Sequence, residues 1–299
     1  MFDLRYHVAS LAAVFLALII GILVGVGISG RGFVSESERK LLDARISELQ
    51  SRLDRASLRS AALSREQKAT KTFVEDAYPA LMRDRLRAKR IAVVFVGSVD
   101  GHVRSTIEQA LADAGAPGPV RIRALKVPVN VEPLDDVLAR RPPLAAYAGD
   151  KQIDTLGRAL GEEFVSGGET PLWNALAAQL VEERTGGMQR AADGVVLVRT
   201  AAPQEGRTAR FLAGFYSGLG AGPAPVVGVE SSNGTTSAVS VYRKAGLSSV
   251  DDVDTPAGRL ALALLLAGGR PGQYGLKATA EDGVVPPIEP LPVASAPSG

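Results

Sequence analysis

Residues 91–97 read Ile-Ala-Val-Val-Phe-Val-Gly: six apolar residues without a break, then a glycine. A strand with one wet face alternates apolar and polar residues. A strand covered on both faces is continuously apolar, as central parallel strands are. The residues that follow keep to that reading. A turn at Ser98–Gly101 leads into an amphipathic helix over about Val103–Ala114, then a second strand near Val120–Val127. Further strands are expected in DGVVLVRT (193–200) and APVVGVE (224–230), with a helix around Thr208–Gly218 between them. Helices are also expected at Asp154–Val165 and Leu172–Thr185. DDVDTPAGR announces the last helix: Asp254 or Thr255 caps it, Pro256 takes its first position, and Leu260–Ala267 is its apolar body. Strands alternating with helices define an α/β class, a Rossmann-like parallel-sheet domain with helices on its faces, over residues 83–283. The tail, residues 284–299, is rich in Pro, Ala and Ser and reads as disordered.

Towards the N-terminus the pattern changes. Residues 83–90 (RDRLRAKR) carry five bases and one acid, read as an exposed helix face. Residues 31–82 form a stalk with no Pro or Gly between Ser35 and about Thr70. A 4-3 spacing runs through Leu42, Ile46, Leu49, Leu53, Ala56, Ser60 and Leu63, a coiled-coil seam over three to four heptads that weakens after Leu53. It predicts a homodimer or a coiled-coil partner; a lone helix packed on its own domain is the competing reading.

Residues 1–30 are read as a transmembrane anchor. Val8–Ile28 holds 21 residues without a charge, a helix of about 31 Å that matches the hydrocarbon core of a bilayer. A cleaved signal peptide has a shorter apolar core and a small-residue cleavage site, and no such site follows here. Ala9, Ala13, Ala17, Gly21, Gly25 and Ser29 recur every fourth residue and share one face, a packing face for a second helix in lipid. Arg31, Arg39, Lys40 and Arg45 follow the span against Arg5 before it. That bias favours a cytoplasmic domain, whereas a short N-tail ahead of a signal-anchor suits export, so the side stays open on these residues.

Composition limits the chemistry. Thirty-four basic and 32 acidic residues nearly cancel, which argues against a nucleic-acid partner. There is no cysteine, so disulfides, thiolate metal sites and cysteine nucleophiles are excluded together. The only histidines are His7 and His102, and the methionines beyond Met1 are Met82 and Met188. The loop Gly97-Ser-Val-Asp-Gly-His102 is neither a dinucleotide fingerprint nor a P-loop, and reads as a tight turn with a helix cap rather than a phosphate site. His102 beside Asp100 is a candidate general base, against the plainer reading of a solvated turn residue. Asp251, Asp252 and Asp254 are a candidate hard-cation cluster, against helix capping. No catalytic motif stands out, so no enzyme activity, cofactor or metal ligand is assigned.

The stretches YHVASLAAVFLALIIGILVGVG (6–27) and GLSSVDDVDTPAGRLALALLLAGGRPGQYG (246–275) resemble the actinobacterial family of mycobacterial copper transport protein B, MctB, described as a copper transport outer membrane protein. The likeness extends over nearly the whole chain apart from the tail. It implies a cell-envelope protein, with the soluble domain extracytoplasmic, tied to copper efflux or homeostasis. A corynebacterial relative is instead connected with septal cell-wall assembly, through a membrane partner and control of peptidoglycan hydrolases. Copper(I) takes thiolate, thioether or imidazole ligands. One histidine outside the span and two internal methionines do not suffice for a multi-ligand site within one chain.

Overall fold

The computed structural model describes residues 4–29, 36–234 and 237–289. It divides into two units between Ala69 and Thr70. The first holds α1 (Leu4–Ser29) and most of α2 (Glu36–Met82). Within α1, His7–Val26 is long and apolar enough to cross a membrane, and none of it is buried. Helix α2 runs 47 residues with its one proline, Pro79, in the last turn. Residues from Thr70 onward belong to the second unit, so that unit starts ahead of the residue-83 boundary read from the sequence. Tyr78, Leu81 and Met82 account for this, because all three pack into its core.

The second unit is one seven-stranded sheet flanked by helices. In chain order come β1 (Ile91–Val96), α3 (Gly101–Asp113), β2 (Pro119–Leu125), α4 (Val131–Ala139), α5 (Ile153–Ser166), α6 (Pro171–Leu180), β3 (Val181–Thr185) and β4 (Gly194–Arg199). Then follow α7 (Gly206–Leu219), β5 (Val226–Val229), α8 (Val239–Lys244), β6 (Ser248–Val250), α9 (Pro256–Leu266) and β7 (Gln273–Tyr274). The strand order is β3-β2-β1-β4-β5-β6-β7. Every pairing is parallel except β2 with β3. β1 is central and buried along its whole length, as its unbroken apolar run requires.

Side-chain alternation divides the core. Ala92, Val94 and Val96 face one side with α5, α6 and α7, while Ile91, Val93 and Phe95 face the other with α3 and α9. Helices α7 and α8 contribute to the first core and α9 to the second, although the sheet grows in one direction from β4 to β7. The β6–α9–β7 crossover therefore has the opposite hand to β4–α7–β5, an unusual arrangement in parallel sheets.

Three local expectations change. Leu172–Thr185 is not one helix: α6 ends at Leu180 and VEERT pairs antiparallel with β2 at the sheet edge. Its polar residues are tolerated there because an edge strand is half wet. Residues 83–88 are a run of turns, with Asp84 and Ala88 at φ 60° and 61°, rather than an exposed helix face. Leu86 is fully buried among those bases. At the other end the packed region continues past residue 283. Val285 lies against the core and the Glu289 carbonyl accepts a 2.6 Å bond from Arg85. Residues 290–299 of the proposed tail lie outside the described residues.

Candidate functional site

In a sheet of this order, ligands bind where the strand order reverses, at the carboxyl ends of β1 and β4. That point is closed here. The amides of Thr200 and Ala201 both donate to the Val96 carbonyl, at 3.1 and 2.9 Å, and Thr200 Oγ1 donates to Ser98 O at 2.7 Å. Gly97 has φ 107°, and a β-carbon on it would sit 2.7 Å from Thr200 Oγ1. The two loops are thus zipped together through a position that only glycine fits. The amino end of α3 is also filled. Asp100 Oδ1 accepts from the amides of His102 and Val103 at 2.9 and 3.0 Å, so a carboxylate already holds the place a phosphate would take. His102 is exposed and its ring makes no hydrogen bond among the described residues.

Asp251, Asp252 and Asp254 each have a separate task. Asp251 is fully buried, and its Oδ1 accepts from the amides of Leu276 (2.9 Å) and Lys277 (3.3 Å). Asp252, also buried, accepts from Thr255 Oγ1 at 2.9 Å, and Thr255 caps α9 by accepting from Gly258 N. Burial pushes the Asp252 carboxyl up to about 6, and the charges of Asp251 and Asp254 add to the rise. Asp254 accepts from Ser232 N and Oγ, both at 2.7 Å. Lys277 reaches back to Glu230 at the end of β5, Nζ to Oε2 3.0 Å, in a largely buried pair. Together these bonds fasten residues 275–279 and the start of α9 to the carboxyl ends of β5 and β6. The segment 246–275 that carries the family resemblance is thus a structural unit, β6–α9–β7 with its fastenings. Among the described residues no group of three or more His, Cys, Asp or Glu could hold a metal ion.

The soft-metal donors lie apart. Met82 is fully buried in the core on the α3–α9 side, Met188 is buried in the core on the α5–α7 side, and His102 is at the surface. The sheet separates the two thioethers. His7 lies in α1.

Two surfaces remain open. In α2, Leu42, Ile46, Leu49, Leu53 and Leu63 of the seam are 52–69% exposed, and Ala56 is exposed as well. In α1, Ala9, Ala13, Ala17, Gly21 and Gly25 are exposed, and a β-carbon at either glycine would meet nothing within 4 Å. The side chain of Ser29 lies outside the described residues.

The second unit also contains a cavity of about 400 Å³ between α7 and α8. Val96 and Arg199, the last residues of β1 and β4, line it, together with Leu212, Ala213 and Tyr216 of α7 and Lys244 of α8. Sequence reasoning passed over these residues. The one available signal was Arg199, a charge that ends the apolar run of DGVVLVRT.

The fold and site define a membrane-anchored α/β protein of the doubly wound type, with a switch point closed by its own loops. The family described as copper transport outer membrane protein, MctB, matches residues 1–286, and the chain belongs to that family. It is a copper-transport-related envelope protein. No curated protein matches the chain significantly.

Proposed function

We propose that this protein is a non-enzymatic scaffold of the cell envelope, anchored by a single span with its α/β domain on the extracytoplasmic side. It self-associates through the stalk, and its link to copper runs through a partner that carries the ligands. The carrying observation is the dispersal of its own soft donors, with Met82 and Met188 in different cores and His102 at the surface. Copper(I) needs two or more such donors on one ion, and bringing Met82 and Met188 together within one chain would require unfolding the sheet. The switch-point geometry argues against a nucleotide or phosphate site between β1 and β4, because Asp100 fills the amino end of α3 and Thr200 ties the two loops together. The seven strands described belong to one open sheet covered by helices, which suits a docking body better than a pore. An assembly role in septal cell-wall construction, acting with a membrane partner on peptidoglycan hydrolases, fits such a body.

The test is host copper tolerance. Met82→Leu, Met188→Leu and His102→Ala together should leave tolerance at the wild-type level. Lost tolerance, with the triple variant folded and present in normal amounts, would show that the chain binds the metal itself.

A further inference from the structure

The cavity between α7 and α8 has the attributes of a small-molecule site. Ligand pockets are mostly apolar with a few convergent polar groups, and occupy roughly 300–1,000 Å³. This one is about 400 Å³. Its body is apolar, from Val96, Leu212 and Ala213, and its charged groups are Arg199 and Lys244. Among the described residues no carboxylate lines it. Neither cation forms an ion pair among the described residues. Arg199 donates through Nε to the Ala201 carbonyl at 3.1 Å, which fixes the base of its side chain and leaves the two terminal nitrogens without an acceptor among the described residues. Two positive groups in a lining that holds no carboxylate among the described residues, at the edge of an apolar hollow, attract an anion whose remaining body is apolar.

The surroundings agree. Arg199 ends β4, and the cavity touches the last residue of β1 as well, so it lies beside the closed switch point, on the α7 side of the zipped loops. Helix α7 starts at Gly206, after the lining residues Pro203 and Gln204, with no side-chain cap on its first amides. Its positive end is therefore turned to the same region. Tyr216 forms part of the wall and meets Tyr242 edge-on, ring centres 6.5 Å apart. Tyr242 is fully buried behind that wall, with its hydroxyl against the backbone of Arg199.

We infer that this cavity binds a small organic anion: a carboxylate or phosphate ester on an apolar body, with its head at Arg199 and Lys244 and its body between α7 and α8. The planar guanidinium suits either head group, and Lys244 adds a point charge. The inference does not depend on the scaffold reading. A bound anion would make the domain a sensor as well as a docking body.

The test uses the full chain in lipid nanodiscs, titrated with 2-naphthoate and with the neutral 2-naphthamide, followed by ligand-observed NMR with empty discs as the blank. Saturable 1:1 binding of the naphthoate is expected, about tenfold tighter than the amide. Lys244→Gln should weaken the naphthoate by about threefold or more and leave the amide unchanged. Ala213→Phe, which places a ring in the hollow from an exposed position on α7, should abolish binding of both probes while the circular dichroism and melting curve stay those of wild type. No saturable binding below about 5 mM, equal binding of the two probes, or binding that survives Ala213→Phe would each overturn the assignment.

Discussion

Gly161 on α5 faces the backbone of α7 so closely that a β-carbon would overlap the carbonyl oxygen of Phe215 and lie 2.7 Å from the amide nitrogen of Leu219. Gly157, one turn earlier, stands in the same relation to Phe211, with Phe215 N at 2.9 Å. On the other side Gly214 and Gly218 meet the carbonyls of Asp154 and Arg158. Each helix thus carries Gly-x-x-x-Gly, and the two cross backbone to backbone inside the second unit. Gly161→Ala pushes a methyl into main chain that cannot turn aside. The expected loss of stability is about 3 kcal/mol, the upper end for overpacking, read from urea denaturation. A loss below about 1 kcal/mol would mean that the helices can separate at little cost.

The stalk carries the self-association proposed above. Leu49→Asp with Leu53→Asp places two charges in each chain at the seam and should convert the full chain in nanodiscs from dimer to monomer. Mass photometry reads this directly. A wild-type chain that is already monomeric, or a double variant that stays dimeric, rejects the seam.

Asp252 supplies a pH dependence. Its carboxyl stands near 6 in the folded protein and near about 3.9 when unfolded. The folded state therefore holds the extra proton between those values, and this group's contribution to stability falls as pH rises through that window. Asp252→Asn removes the effect. The stability of the variant relative to wild type should rise by up to about 3 kcal/mol between pH 4 and pH 7. A difference that does not change with pH would place the Asp252 carboxylate in a better-solvated setting.

Lys277 should be required for holding the C-terminal segment. Replacing it with Met leaves Glu230 buried without its cation, although Ala238 N and Ser237 Oγ still donate to that carboxylate. About 3 kcal/mol of destabilisation is expected, with faster amide exchange over residues 275–283 than elsewhere. Uniform loosening across the domain would contradict the assignment of Lys277 as a local fastening.

Some of this was written plainly in the sequence. β1, β4 and β5 showed as continuous apolar runs because both of their faces are covered. Thr255-Pro256 marked the start of α9 because a cap and a first-turn proline are local signals. Val181–Thr185 was hidden because an edge strand keeps charged residues that read as helix. Ser248–Val250 and Gln273–Tyr274 are too short to show a period. Arg121, 1% exposed and bonded at 2.8 Å to the Arg190 carbonyl, looks in sequence like any surface arginine. The glycine spacing was read as a packing face in α1, whereas the same spacing in α5 and α7 passed unnoticed inside ordinary amphipathic helices. The cavity residues Val96, Arg199, Tyr216 and Lys244 are joined by topology and share no local pattern.

The most direct test of an indirect copper link is an equilibrium titration of the full chain in nanodiscs with copper(I), held against a chromogenic chelator. The predicted result is that the chelator keeps its metal at every protein concentration, for wild type and for the Met82, Met188 and His102 variant alike. Stoichiometric withdrawal of copper(I) by the wild-type chain, lost in that variant, would contradict it.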